Sequence, residues 1–334
     1  NPLRADFIVV DECSMLDTAL AAALFRAIPH TSHLLLVGDT DQLPSVGSGN
    51  VLKDLIQSGR IPVTRLEFIY RQSAGSRISS IAHAVLKNQV NPGKRVQSVD
   101  EVETDDELVF IDSETPEQLV EKASELIARR LPKILPSSLV RDVQVLAPLH
   151  RGAAGTQNLN QVLQGILNPN QREITAGFEN LRVGDRIIQT RNNYDKSVFN
   201  GDIGVITAID WQESTVSAEF DGAAVTYDRG EFAEFQLAYA ISIHKSQGSE
   251  YPVVVIPILK QHYVMLERNL IYTAITRGKR RVYLIGQVDA FAMAVRNEKT
   301  HMRMTHLPPR LELAFESEAS NRASRRHQSS GALR

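Results

Sequence analysis

The chain has 334 residues, 43% of them hydrophobic, with 37 Lys and Arg against 39 Asp and Glu and a net charge of −2. That length suits two or three domains with cores of ordinary size, and the charge excludes a whole-molecule electrostatic attraction to nucleic acid, leaving local surfaces to supply any such contact. A single cysteine, Cys13, excludes an intramolecular disulfide framework and fits a reducing cytoplasm; no apolar stretch suits a membrane helix, and no signal peptide is found.

An apolar run, Phe7 to Val10, predicts a buried strand that ends in Asp11-Glu12. A helix follows from a capping Asp17 or Thr18 to Ile28, stopped by Pro29. A second apolar run, Leu34 to Val37, predicts another buried strand ending in Gly38-Asp39, and with a further helix the segment reads as half of a doubly wound α/β domain, residues 1–66. A second α/β unit begins in 67–175, with a helix over Ile78 to Lys87, an acidic connector from Asp100 to Glu107, a helix over Pro116 to Arg130 and a strand over Val143 to Ala147. In 176–236 short runs at Asp185 to Thr190, Ile203 to Ile209, Thr215 to Phe220 and Ala223 to Tyr227, separated by turn residues, predict a small all-β barrel insertion. The strand Val253 to Ile258, the helix Glu267 to Thr276 and the strand Arg281 to Ile285 complete the second unit in 237–315, and the Ser-, Arg- and Asn-rich stretch 316–334 is expected to be disordered.

Carboxylates at the carboxyl ends of two neighbouring parallel strands occupy the edge where ligands bind, in the position that holds magnesium beside nucleotide phosphates. No Gly-x-x-x-x-Gly-Lys-Ser/Thr loop is present: Gly93-Lys94 has Asn88 at the first-glycine position and Arg95 after it, and Gly278-Lys279 has Thr273 and Arg280. Residues Asn1 to Asp6 lead straight into a core strand without a start methionine, so the chain is expected to begin inside a domain, with the phosphate loop upstream. Taken singly, Asp11-Glu12 reads more readily as a loop start or helix cap than as a metal site, and Gln42 as a surface residue.

Five blocks in order change that balance. Val9-Val10-Asp11-Glu12, Gly38-Asp39-Thr40-Asp41-Gln42-Leu43-Pro44-Ser45-Val46-Gly47, Tyr70-Arg71-Gln72, His244-Lys245-Ser246-Gln247-Gly248-Ser249-Glu250 and Tyr272-Thr273-Ala274-Ile275-Thr276-Arg277 resemble motifs II to VI of superfamily 1 helicases, most closely the RecD-like branch. The resemblance spans about Phe7 to Gly286; Ser48 and Gly278 depart from residues often found there, proline and alanine, without removing a catalytic group. It implies P-loop NTPase, RecA-like α/β domains, the first one partial, with an SH3-like insertion.

The resemblance also implies roles. Asp11 would hold Mg2+ and Glu12 orient or deprotonate the attacking water; Gln42 would sense the γ-phosphate of ATP, and Arg71 and Arg277 would be arginine fingers reaching across a cleft between the two α/β domains. Gly248 and Glu250 would contact nucleotide, and Arg151, Asn193, Tyr194, His244, Lys245 and Ser246 would contact DNA. Asn200-Gly201 is first a hairpin turn; Tyr194 reads equally as a base-stacking or a packing residue, a lone histidine such as His244 is more often structural, and Cys13 reads as a small buried residue.

The expected activity is an ATP-dependent DNA helicase moving 5′ to 3′, a cytoplasmic protein acting on single strands and duplex junctions, with other subunits of an exonuclease V-type complex as candidate partners and no membrane contact. Without the phosphate loop, the chain alone is expected to show little ATPase. A non-catalytic single-strand- or partner-binding module and the helicase module of a conjugative relaxase are the alternatives. No separate nuclease constellation is apparent.

Overall fold

The structure, a computed structural model, describes residues 2–66, 76–169, 172–176, 179–298, 303 and 305–317. The described residues fall into two compact units, one built from those before 70 and after 297, the other from those between.

In the first unit, β1 (Phe7–Val10) and β2 (His33–Leu36) pair in parallel with Phe7 opposite His33 and Val10 opposite Leu36. The crossover is α1 (Thr18–Ala27), whose N-terminus is capped as expected: the Leu20 amide donates to Asp17 Oδ1 at 2.8 Å. After a loop comes α2 (Val51–Gln57). Leu16, Ala21, Val51 and Leu55 form the core, and Leu307 and Leu311, from a helix over 307–317, pack against it. The C-terminal segment therefore returns to the first unit, although the sequence pattern carries the second unit through 315. The two strands are also less buried than their apolar runs predict: Phe7 is 59% and Val9 54% exposed, because this two-stranded sheet has no third strand or second layer over that face among the described residues.

The second unit opens with α3 (Arg77–Leu86), β3 (Lys94–Val96) and β4 (Leu108–Asp112). Helix α4 (Pro116–Glu125) passes through a π turn over Leu126–Arg130 into α5 (Leu131–Ile134), followed by α6 (Ser137–Arg141) and β5 (Val143–Ala147). The helix expected over Pro116 to Arg130 is present and runs on to Ile134, its π turn lying just before Pro132, which has no N–H to donate and whose ring crowds the preceding turn. Then come α7 (Thr156–Leu167) and a hairpin of β6 (Glu173–Ala176) with β7 (Glu179–Arg182).

The insertion is an antiparallel five-stranded sheet of β8 (Arg186–Gln189), β9 (Ile203–Asp210), β10 (Thr215–Phe220), β11 (Ala223–Tyr227) and β12 (Phe235–Leu237), in the order β11-β10-β9-β8-β12. The chain returns through β13 (Ala240–Ser242), β14 (Tyr251–Ile258), α8 (Arg268–Thr276), β15 (Gly278–Gly286) and α9 (Val288–Arg296). The main sheet has the order β13-β5-β14-β15-β4-β3 with every pair parallel. Strands β4 and β5 are buried along their whole length, as continuous apolar runs in a sheet covered on both faces must be.

Candidate nucleotide and nucleic-acid sites

The two carboxylate-bearing loops of the first unit leave adjacent strand ends zipped together. The Val37 amide donates to Val10 O at 2.8 Å and the Cys13 amide to Val37 O at 2.9 Å. Gly38 makes this approach possible, since a Cβ there would stand 2.8 Å from Leu52 Cδ2 and 3.0 Å from the Cys13 nitrogen. Asp11 is exposed and its Oδ1 accepts the Glu12 amide at 2.7 Å. Glu12 occupies the left-handed region, φ 52° and ψ 37°, an uncommon state for a residue with a Cβ and one that gathers at functional positions. Cys13 is buried and its thiol donates to Val10 O at 3.0 Å; burial pushes its pKa up, a backbone hydrogen bond with Val37 opposes this, and Asp11 and Glu12 add lesser upward effects, which keeps it a packed thiol.

Gln42 is half-buried and reaches back to Asp39, its Nε2 standing 3.4 Å from Oδ2, while the Asp41 amide caps Oδ1 at 2.9 Å. The loop that carries it rests on the start of α1. A Cβ at Gly47 would fall 2.2 Å from Asp17 Oδ2, and Gly49, at φ +102°, lies against Thr18. No grouping of three or more His, Cys, Asp or Glu that could form a metal cage occurs among the described residues. Magnesium beside a nucleotide needs only one or two protein carboxylates, with water and phosphate oxygens completing its shell, so the exposed Asp11 fits that duty.

In the second unit the fourth and fifth motif blocks meet. Arg277 Nη1 donates to Ser249 O at 3.1 Å, the Tyr251 amide to Arg277 O at 2.9 Å, and Glu250 pairs with Lys279 at 3.2 Å. Gly248, Glu250 and Arg277 are thus brought together. Arg277 is only 2% exposed, tucked at the end of α8 rather than extended into solvent. Gly248 has φ +77° with open space around its Cα, so backbone conformation is what favours glycine there. Arg71 lies outside the described residues.

The nucleic-acid candidates divide. Strands β5 and β13 are parallel neighbours, so the loops after them, bearing Arg151 and His244–Ser246, leave the same sheet edge. His150 joins them: its Nδ1 is 2.6 Å from Thr156 Oγ1, and burial, then Lys245 and Arg151, depress its pKa. Lys245 is half-buried at this edge. Burial pushes the pKa of His244 down, with Glu267 opposing. Ser246 does not present its hydroxyl: it is fully buried and donates to Ile243 O at 2.7 Å, closing the turn.

Asn193 is likewise occupied within the barrel, bridging Val198 and donating to Glu234 Oε2 at 3.0 Å. Tyr194, by contrast, is 75% exposed and edge-on to Phe199, with ring centroids 5.8 Å apart. Phe199, itself 43% exposed, carries a weaker sequence signal, an aromatic residue directly before the Asn200-Gly201 turn.

Residues 3–113 match the AAA domain family, 159–220 the ATP-dependent RecD-like DNA helicase SH3 domain and 237–285 the UvrD-like helicase C-terminal domain. The ATP-dependent RecD2 DNA helicase of Deinococcus radiodurans is 34% identical over 90% of this chain and 39% of its own length. The RecBCD enzyme subunit RecD of Mycolicibacterium smegmatis is 31% identical over 94% of this chain and 55% of its own length. The chain therefore spans about half or less of these relatives. A crystal structure of Pif1 helicase from Bacteroides with ADP-AlF3 and single-stranded DNA shares the fold, with a TM-score of 0.53 at 17% identity over 94% of this chain and 76% of that one. With three matches in chain order and relatives at 31–34% identity along nearly its whole length, the chain belongs to the RecD-like helicases.

Proposed function

We propose that the protein is an ATP-dependent DNA helicase that converts ATP hydrolysis into 5′ to 3′ movement on single-stranded DNA and unwinding of duplex junctions. The observation that carries the reading is the carboxylate arrangement of the first unit: an exposed Asp11, a Glu12 aimed by a left-handed backbone and Gln42 on the loop from the adjacent strand. Asp11 would hold the magnesium that accompanies ATP, and the ion would supply charge neutralisation at the phosphates. Glu12 orients the attacking water and accepts its proton, Gln42 reports the terminal phosphate, and the guanidinium groups of Arg277 and Arg71 stabilise the charge that develops. Gly248 and Glu250 attend the same nucleotide.

Single-stranded DNA is held at the sheet edge by Arg151, His244 and Lys245 and on the barrel by Tyr194, contacts that grip backbone and base faces without reading sequence. Ser246 and Asn193 support these loops from within. Residues 1–66 belong to the first motor domain, which the segment after 297 rejoins, 67–175 and 237–297 to the second and 176–236 to the SH3-like insertion. The role assigned is a cytoplasmic one in DNA repair or recombination, and the name of one relative, a RecBCD enzyme subunit, supports partner subunits of an exonuclease V-type complex.

The test uses the protein as encoded in its gene: Glu12→Gln is expected to lower DNA-stimulated ATP hydrolysis by at least about 100-fold, the scale of losing a general base. Near-normal turnover would remove Glu12 from the reaction. Strand displacement on 5′- and 3′-tailed duplexes checks polarity, and unwinding of 3′-tailed substrates alone would reverse it.

A further inference from the structure

Between Gly38 and Gly49 the chain forms neither helix nor strand, yet Gln42 must keep one position if it is to report on a phosphate. Part of what fixes this loop comes from more than 250 residues away. Arg303 donates from Nη2 to Ser45 O at 2.9 Å and from Nη1 to Gly47 O at 3.1 Å and Gly49 O at 2.9 Å. Three carbonyls within five residues turn towards one guanidinium, and the positive φ of Gly49 belongs to that convergence.

Arg303 is itself anchored. Thr305 Oγ1 donates to Asp54 Oδ2 at 2.6 Å, and two residues later begins the helix whose Leu307 and Leu311 pack on the first unit's core. Arg60 and Glu312 approach to 3.7 Å on its outer side. A planar guanidinium with donors on separate nitrogens can span carbonyls in this way; a lysine ammonium is a point charge on a flexible stem and cannot hold the same fork.

We infer that Arg303 is a positioning residue for the nucleotide-sensing loop, so that the C-terminal segment of the chain sets the competence of the first unit's phosphate-facing edge. This rests on the reading of Gln42 as the residue that meets the terminal phosphate. No sequence signal marks Arg303, because its partners are backbone carbonyls whose side chains play no part in the contact.

The experiment compares Arg303→Ala, Arg303→Lys and Gln42→Ala in the protein as encoded, measuring kcat and KM for ATP in DNA-stimulated hydrolysis, the melting temperature, and amide exchange of residues 38–49. The expectation is that Arg303→Ala lowers kcat by about tenfold, as a misplaced catalytic loop does, with little change in KM or melting temperature and faster exchange confined to the loop. Arg303→Lys should fall between Arg303→Ala and wild type, and it carries the test if the alanine variant does not fold. Unchanged kcat and loop exchange in Arg303→Lys and Arg303→Ala, with Gln42→Ala impaired, would overturn the role of Arg303. A lowered melting temperature with normal kcat would also overturn it, showing a purely structural clamp. Normal turnover in Gln42→Ala would instead defeat the underlying reading of the loop.

Discussion

Glu12 couples two properties at one position, a carboxylate needed by the proposed chemistry and a backbone state that L-residues avoid. Holding a residue with a Cβ at φ 52° costs about 1–2 kcal/mol relative to the right-handed region. Glycine would relieve that cost while adding freedom to the unfolded chain worth about 0.4–1 kcal/mol. Glu12→Gly is therefore expected to leave folding stability unchanged or raise it by up to about 1.6 kcal/mol in a urea titration while abolishing hydrolysis. A loss of more than about 1 kcal/mol would show that the Glu12 side chain itself stabilises the fold. The acidic pair and the Gly-Asp-x-x-Gln loop were legible in the sequence because their residue types carry the chemistry. The left-handed turn at Glu12 was not, since nothing in the local pattern distinguishes it from an ordinary strand exit. Ser246 shows the opposite failure: a hydroxyl beside Lys245 reads as a phosphate ligand, yet the turn consumes it internally.

At the scale of elements, the turn that closes β14 contains an acid-sensitive joint. His262 is buried; its Nδ1 accepts the Leu259 amide at 3.3 Å, and its Nε2 has no hydrogen-bond partner among the described residues. Burial pushes its pKa down to about 4. The folded value lies below the unfolded one of about 6.5, so between them the unfolded chain binds the extra proton. The contribution is full above about pH 6.5 and is lost as pH falls towards 4, amounting to about 3 kcal/mol at most. The urea midpoint of wild type should therefore drop over that window more steeply than that of His262→Asn, which keeps an acceptor for the Leu259 amide without a titrating ring. Parallel pH profiles for the two proteins would rule this out. Long or strongly apolar elements such as β5 and α1 were readable from period and caps. Strands β3 and β12, of three residues each, were not, because so short a run has no period; β4 was hidden behind the acidic connector that precedes it.

Across the second unit, the barrel insertion behaves as part of the sheet rather than an appendage. Arg186 in β8 donates to Val143 O at 2.7 Å and Gln144 Oε1 at 3.0 Å, while Gln144 Nε2 donates to Ala238 O at 3.1 Å. Asn160 of α7 exchanges two 2.8 Å bonds with the backbone of Ala240. Asp185, fully buried, accepts from Gln164 at 2.6 Å, Asn168 at 2.8 Å, the Arg182 amide at 2.7 Å and Tyr239 Oη at 2.9 Å. The order of domains, α/β interrupted by β, was legible from the change in hydrophobic period. These ties were not, because they join residues up to 95 positions apart through single polar atoms that no pattern marks. Removing the carboxylate at the centre takes the acceptor from the Tyr239 hydroxyl and the Arg182 amide and one of two acceptors from Gln164, which also donates to Asn180 O, and Asn168, which also donates to Val183 O, a loss of about 2–5 kcal/mol. Asp185→Ala should therefore lower the stability of barrel and sheet together, with the second unit's tyrosine and tryptophan signals moving in one transition. Asp185→Asn, which keeps one acceptor and the side-chain shape, should cost less. If the Trp211 signal of the barrel instead melted separately from the Tyr283 signal of the sheet in wild type, the insertion would be an independent domain. The polar ties would then be incidental to how the unit holds together.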